Sequence, residues 1–526
     1  MEKKLPRLLD ILSAGSEIGF TFLDAGYTRT HATHSLVEES AHRMASSIQA
    51  LPGDTIAMML SNNAGIVSAL WGTWLAGKNL ASLPLPARAQ RPEDYLSLVS
   101  EILSDIHAEV LVVDESLAAL CSALEGIRVI TPDQLDKKAS AEIVQPNDDP
   151  HFIQFSSGST SRPKGVVLTH SAIVESIVAM LSVVKIEERS VTVSWLPWSH
   201  DMGLIGMLLL PWVSTGLAAL GHSASPGPFS HITTMDPTCF VRDPSSWLSE
   251  IARWQNVGTA APNFALDRTC RHLARHPFAE SAEALKFAII GSELVRPHSL
   301  LAFQEALAPN GLQTNALAPA YGMAEMTLGI ALTPQYQQWR SVSHLGRDYV
   351  SLGAPLSGID LAIVDSPRSR AVDPSGRIGE ILVSGPGAAA RYADGTAIDL
   401  PLLTGDVGFL DGGELFVTAR VDDVVLVAGS NIFAPPVEAA LAQVDGVHAG
   451  SICLVQDDAS YAIVVEPSRD TDSSSLVEAI NATAVKSTGA RPSRVVVLAP
   501  GQFPKTSSGK LRRPVLTALL AAGELG

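Results

Sequence analysis

Short β-rich runs alternate with helical patterns through most of the chain. Thr55 to Leu60, Val110 to Asp114, Ile127 to Thr131, Val191 to Leu196 and Lys286 to Ile290 are compact apolar stretches that read as strands. After the first of them, Ile66, Val67, Leu70, Trp71, Trp74 and Leu75 recur at helical spacing, with Asn62 or Asn63 placed to cap the helix. At those positions the tryptophans belong to a core rather than to a stacking platform. His151 to Phe155 predicts a further strand and Ser171 onward a helix, with a Ser/Gly-rich loop between them. The alternation predicts an α/β chain.

The pattern changes near Ala419. Glycine-rich β segments (Gly379 to Ser384, Glu414 to Thr418) precede it, and a smaller block follows with its own apolar runs: Ile452 to Val455, Ala462 to Val465 and Arg494 to Leu498. A second domain of roughly 100 residues, near the common domain size, therefore starts around Val421. No internal repeat or low-complexity tract interrupts the chain.

Composition narrows the classes. A length of 526 residues corresponds to three or four units of about 150. With 46% hydrophobic and 17% charged residues and a mean hydropathy of +0.21, the chain has a large core and is not disordered. Its net charge of −17, without any run of Lys or Arg, excludes nucleic acid as a partner, although a small anion can still be held by a few local cations. Cys121, Cys239, Cys270 and Cys453 are scattered, so neither a zinc site nor a disulfide framework is expected. Met1 to Asp10 is charged and lacks the core of a signal peptide. Met207 to Leu220 is broken by Pro211 and Gly216 and is shorter than the ~18 to 20 apolar residues of a span. A cytoplasmic protein without a membrane span is expected, and the sequon at Asn481-Ala482-Thr483 then carries no weight.

Chemistry concentrates first in Phe155-Ser156-Ser157-Gly158-Ser159-Thr160-Ser161-Arg162-Pro163-Lys164-Gly165. Backbone N–H groups freed by Gly158 and Gly165, the hydroxyls of Ser157, Ser159 and Thr160, and the Lys164 ammonium can together grip a polyphosphate. The stretch is not a Walker loop, which needs Gly before the lysine and Ser or Thr after it. Two other patterns are disfavoured. Gly385-Pro386-Gly387-Ala388-Ala389-Ala390 fits G-x-G-x-x-A with Asp406 about 20 residues on, but Arg391 to Leu403 cannot supply the crossover helix of a dinucleotide fold. Gly221-His222-Ser223-Ala224-Ser225 lacks the second glycine of a nucleophile elbow.

Further along lie Tyr321-Gly322-Met323-Ala324-Glu325-Met326-Thr327, Leu403-Thr404-Gly405-Asp406, Ala419-Arg420-Val421-Asp422-Asp423 and Pro504-Lys505-Thr506-Ser507-Ser508-Gly509-Lys510-Leu511-Arg512-Arg513. In this order the set resembles the adenylate-forming superfamily of acyl- and aryl-CoA synthetases, luciferases and peptide-synthetase adenylation domains. Ser194-Trp195-Leu196-Pro197-Trp198-Ser199-His200-Asp201-Met202-Gly203-Leu204-Ile205-Gly206, Ala261-Pro262-Asn263-Phe264-Ala265 and Ser430-Asn431-Ile432-Phe433-Ala434-Pro435 are similar to the fatty acyl-AMP ligase branch, whose members pass an acyl group to a carrier protein.

The resemblance implies a large N-terminal domain (1–419) of stacked α/β subdomains plus a β-subdomain, a hinge at 420–423 with Asp422, and a small mobile α+β C-terminal domain (424–526). The implied chemistry is attack of a carboxylate on the α-phosphorus of ATP, releasing pyrophosphate. Two anions must meet, so positioning and charge neutralisation dominate. Ser156, Ser157, Gly158, Ser159, Thr160 and Lys164 would hold the β- and γ-phosphates, and Glu325 with Thr160 would hold Mg²⁺. Tyr321, flanked by Ala320, Gly322 and Met323, would stack on adenine against Gly291, Ser292 and Glu293. Asp406 would accept from both ribose hydroxyls, Arg420 would touch ribose or phosphate, and Lys510 would bridge the carboxylate and α-phosphate. His200, Asp201, Met202, Met207, Ala260 and Ala261 would line the acyl pocket, His200 as its gate.

Relatives commonly have glycine where this chain has Met207, Ala260 and Ala261, which predicts a short- or medium-chain acid. The stretch from Gly329 to Val350 is short where acyl-AMP ligases carry an insertion that restrains the small domain. No carrier segment follows Gly526, so a separate acyl carrier protein or carrier domain is the expected partner. An acyl-CoA synthetase, an adenylating enzyme for a small amino, hydroxy or aryl acid, and a non-catalytic nucleotide-binding scaffold are the alternatives. Joint retention of Lys510, Glu325 and Asp406 disfavours the scaffold.

Overall fold

In the computed structural model the apolar runs become parallel strands. The structure describes residues 4–86, 91–136, 150–156, 163–187, 189–344, 347–365, 377–427, 430–458, 460–468, 471–504, 511 and 513–525. One sheet has seven strands, in the order Arg391–Tyr392, Lys164–Leu168, Phe152–Ser156, Asn79–Leu83, Thr55–Met59, Val110–Val112 and Arg128–Ile130. The last five run parallel, and the first two are antiparallel additions at the edge. A second sheet has nine strands, with six parallel at its centre: Leu317–Gly322, Leu285–Gly291, Asn256–Pro262, Ser190–Ser194, His231–Met235 and Gly19–Leu23.

The period of two along each strand explains the layering. Ile56 and Met58 face a core shared with the nine-stranded sheet, whereas Ala57 and Met59 face a separate cluster capped by the helix Pro92–Asp105. Between the sheets lies the helix Ala64–Leu75, buried from Ile66 through Leu75, as expected of a helix apolar on every side. Asn63 caps it, its side chain accepting from the Ile66 N–H at 3.0 Å. Trp71 packs edge-on against Trp212, with ring centroids 5.0 Å apart, and His34 touches both rings. Both predicted core tryptophans, Trp71 and Trp74, are fully buried.

Trp212 belongs to the helix Leu210–Ala219, which continues a π-helical segment, Met202–Leu209. Together, Met202–Ala219 is long and apolar enough to cross a membrane, and 89% of it is buried inside the fold.

A four-stranded antiparallel sheet (Asp360–Val364, Gly379–Ser384, Leu402–Asp411, Glu414–Arg420) follows. From Val425 onward the chain builds its own clusters on the two faces of a three-stranded sheet, Val447–Asp457, Ser460–Pro467 and Arg494–Val497. Arg513, at the start of the helix Arg513–Ala521, is half-buried there and pairs with Glu438 at 2.6 Å and Asp423 at 3.1 Å. All four cysteines are free thiols.

Candidate active site

Open α/β sheets gather ligands at the carboxyl ends of their strands, and the motif residues collect there. The strand Leu317–Gly322 delivers Tyr321, whose hydroxyl donates to Asp406 Oδ2 at 2.6 Å. Arg420 Nε lies 3.1 Å from Asp406 Oδ1. Asp406 and Arg420 stand directly opposite each other in the Leu402–Asp411/Glu414–Arg420 ladder, so one hairpin supplies both charges. The Asp406 N–H donates to Thr404 Oγ1 at 3.1 Å, which orients the turn. Burial, reinforced by the Asp406 carboxylate, pushes the Tyr321 hydroxyl well above its ordinary range and keeps it a neutral donor. Gly322 cannot be anything larger: a Cβ there would lie 1.8 Å from the Leu328 carbonyl oxygen.

The two described ends of the Ser/Gly-rich stretch, Phe152–Ser156 and Lys164–Leu168, pair as antiparallel strands. Ser156 pairs with Lys164, and Lys164–Leu168 is a strand, where the sequence predicts loop running on to the helix. Two neighbours impose the strand: Phe152–Ser156 on one side and, more than 200 residues away in sequence, Arg391–Tyr392 on the other. The same junction joins two predicted site residues. The Lys164 ammonium lies 5.1 Å from the centroid of the Tyr392 ring, and the Tyr392 hydroxyl donates to Glu325 Oε1 at 3.2 Å. Burial and the nearby Glu325 push the Tyr392 hydroxyl up to about 12. Glu325 itself sits on the short turn Ala324–Met326, held by the Ala389 N–H donating to its carbonyl at 2.8 Å. Thr327 anchors that turn by donating to the Gly387 carbonyl at 2.7 Å, so the G-x-G match has a structural task here. Ser157, Gly158, Ser159, Thr160 and Lys510 lie outside the described residues, and Asp422 is described only as backbone within the turn Val421–Asp423.

The third group surrounds the start of the π-helical segment. His200 Nδ1 lies 2.6 Å from Asp201 Oδ1, and Asp201 Oδ1 also accepts from the Met202 N–H at 2.7 Å. Gln154 Nε2 donates to the Ser199 carbonyl at 2.9 Å, tying this loop to the strand Phe152–Ser156. Asn62 does not cap a helix. It donates to the Leu196 and Met235 carbonyls and accepts from the Trp198 N–H, fixing the loop that carries His200. Ser292, at a positive φ of 67°, brings its hydroxyl to 3.7 Å from Met202 Sδ, and Glu293 accepts from the Phe264 N–H.

Below this loop a cavity of about 40 Å³ opens between the π-helical segment and the nine-stranded sheet, lined in part by Thr192, Gly206, Met207, Gly258 and Ile289. Ala260 pairs with Ile289, which lines the cavity, and Ala261 pairs with Ile290, which does not; neither alanine is itself among the lining residues.

A family model described as AMP-binding enzyme matches residues 18–393. The chain is an AMP-binding enzyme. It is 28% identical to the 4-hydroxyphenylalkanoate adenylyltransferase of Mycobacterium tuberculosis, over 93% of this chain and 86% of that protein. It is 26% identical to the medium-chain-fatty-acid–[acyl-carrier-protein] ligase JamA of Moorena producens, over 98% and 95%. A fatty acyl-adenylate ligase structure, from a study of the Escherichia coli and Legionella pneumophila proteins, superposes with a TM-score of 0.86 at 22% identity, covering 99% of each chain. The enzyme is an adenylate-forming ligase of the fatty acyl-AMP ligase type, with the mixed α/β fold of that group.

Of the residues that order this enzyme's site, Tyr392, Thr404, Gln154 and Asn62 carry no site signal in the sequence. Thr404 lies within the Leu403-Thr404-Gly405-Asp406 motif but is not singled out there; Tyr392, Gln154 and Asn62 lie outside the motifs, and each acts through a partner far along the chain.

Proposed function

We propose that the enzyme joins a carboxylic acid to ATP, forming acyl-AMP and pyrophosphate, and then passes the acyl group to a separate carrier protein. The observation that carries this reading is the pair of clusters at the carboxyl edge: Asp406 held by Tyr321 and Arg420, and Lys164 linked to Glu325 through Tyr392. A carboxylate offers about four lone-pair sites. Tyr321 and Arg420 hold the Asp406 carboxylate in place, and its oxygens would accept from the ribose hydroxyls. The Tyr321 ring would bound adenine, with Gly291, Ser292 and Glu293 opposite and Ala320, Gly322 and Met323 beside it. Ser156 to Lys164 would hold the β- and γ-phosphates.

Among the described residues no group of three or more His, Cys, Asp or Glu side chains could hold a metal alone. Glu325 presents a hard oxygen donor, linked through Tyr392 to Lys164, and fits Mg²⁺ shared with phosphate oxygens, the usual arrangement for that ion. Thr160 would assist, and the bound ion would neutralise phosphate charge. A substrate carboxylate oxygen attacks the α-phosphorus as the bond to the β-phosphate oxygen breaks. Lys510 donates to both reactants. His200, oriented by Asp201, gates the carboxylate at the mouth of the acyl pocket, which Met202 and Met207 would line.

A boundary at 419/424, with 420–423 as hinge around Asp422, would let residues 424–526 turn between the two half-reactions. The free cysteines fit a reducing, cytoplasmic compartment. Met207 on the cavity wall favours a short- or medium-chain acid, and the JamA relative is a medium-chain-fatty-acid ligase.

Acid-dependent pyrophosphate exchange across a panel of fatty and aryl acids tests the first half. Offering a phosphopantetheinylated carrier protein and coenzyme A in parallel tests the second. The carrier should be acylated at least tenfold faster; preferential formation of acyl-CoA would replace the carrier reading with that of an acyl-CoA synthetase.

A further inference from the structure

The amino-terminal end of the cavity contains a feature that an apolar fatty acid does not need. Val257 pairs with Leu285 and Gly258 with Phe287, so one step on the first strand opposes two on the second, and Lys286 is the extra residue of a β-bulge. Bulges in parallel pairs are rare, and bulges re-aim side chains. Here Lys286 is half-buried, lines the cavity, and has neither an ion-pair nor a hydrogen-bond partner among the described residues. Two other charged residues line the same end, Lys185 and Glu187, both exposed. Glu187 already accepts from the Tyr336 hydroxyl, and the Lys185 ammonium lies 5.9 Å over the Tyr336 ring. The walls above are apolar or open: Met207 and Ile289 on the sides, and Gly258, where a Cβ would meet nothing nearer than the Val191 carbonyl oxygen at 3.9 Å.

We propose that the acyl cavity ends on Lys286 and that the preferred acid carries a second carboxylate at its far end. This rests on the reading of the enzyme as an acid-activating ligase. Lys286 precedes Gly291 by five residues on one strand, about 17 Å at ~3.3 Å per residue. The ammonium reaches part of the way. An extended chain advances roughly 1.2 Å per bond, so the remaining length suits a dicarboxylic acid of about 8 to 12 carbons, of which the cavity of about 40 Å³ would take only the far carboxylate end. A methyl end would dehydrate the ammonium and give it nothing in return, whereas a carboxylate forms a charge-assisted hydrogen bond.

The test compares pyrophosphate exchange with mono- and dicarboxylic acids of 6 to 14 carbons (panel lengths set by that ~1.2 Å per bond) in the wild type, Lys286→Met and Lys286→Arg. The wild type should favour the diacid by roughly 10- to 100-fold in kcat/KM at equal length, the range of one charged hydrogen bond. Lys286→Met should erase that preference while keeping or improving the monoacid rate, which also shows that the variant is folded. Lys286→Arg should retain most of it. Monoacid exchange that exceeds diacid exchange in the wild type, or a diacid preference that survives Lys286→Met, overturns the inference and leaves the ligase reading intact. No exchange with any acid overturns both.

Discussion

At the carboxyl edge of the nine-stranded sheet Asp406 is already engaged by Tyr321 and Arg420, and Glu325 by Tyr392. At the amino edge of the same sheet the cavity is bounded by Gly258, Met207 and Lys286, groups with no hydrogen bond or ion pair to one another among the described residues. The first region is organised electrostatically before any ligand arrives, and the second is defined by shape and one charge. A change at the carboxyl edge should therefore lower activity on every acid alike. A change at the amino edge should redistribute activity among acids and leave nucleotide binding untouched.

The largest effect expected is that of Lys510→Ala. Acyl-AMP formation should fall by at least ~10²-fold for all acids, the scale of losing one preorganised donor, with ATP affinity nearly unchanged. Exchange at the wild-type rate in that variant would remove Lys510 from the reacting centre. Asp406→Ala should come next, weakening ATP and AMP binding by about 1 to 3 kcal/mol in calorimetry, as for a lost charged hydrogen-bond pair. Unaltered nucleotide affinity would break the comparison at its carboxyl side.

Tyr392→Phe keeps the ring beneath Lys164 and deletes only the hydroxyl that donates to Glu325. It should raise the KM for magnesium-ATP by roughly 2- to 13-fold, the equivalent of about 0.5 to 1.5 kcal/mol, and leave the KM for the acid in place. Smallest per step is Met207→Gly, which should move the chain-length optimum upward, each newly accommodated methylene being worth about 0.8 kcal/mol. A profile of pyrophosphate release that overlays the wild type, or a change in ATP affinity, would show that the two regions are not separable in this way.

What the sequence made legible followed from what each feature depends on. Thr55–Met59 and Asn63 depend on neighbours within a few residues, and both were readable. Lys164 was assigned to loop because Val166 to Leu168 is too short to announce a strand on its own, and its partners are supplied by pairing at long range. Ala260 and Ala261 could not be placed relative to the cavity because the face of a strand residue depends on register, and a shift of one position inverts it. Lys286 was invisible as a special position for the same reason, since a bulge exists only relative to the strand beside it. Tyr321, Glu325 and Asp406 were legible as chemistry, but their connection through Tyr392 and Arg420 required the folded chain.

The π-helical segment Met202–Leu209 flows without a break into Leu210–Ala219, whose Trp212 is wedged among Trp71, His34 and Phe20. Successive residues of a regular helix are offset by about 100°, so deleting a single residue from the wide turn would rotate everything after it by roughly that angle. Trp212 would swing out of its aromatic nest, and Gly216, whose missing Cβ leaves room for the Ile11 carbonyl oxygen, would be replaced at that contact by a bulkier neighbour. The segment that walls the cavity is thus phased against the packing around Trp212. Along it, the chain can exchange one side chain for another far more readily than it can gain or lose a position, so its specificity is open to evolution by substitution and closed to evolution by changes in length.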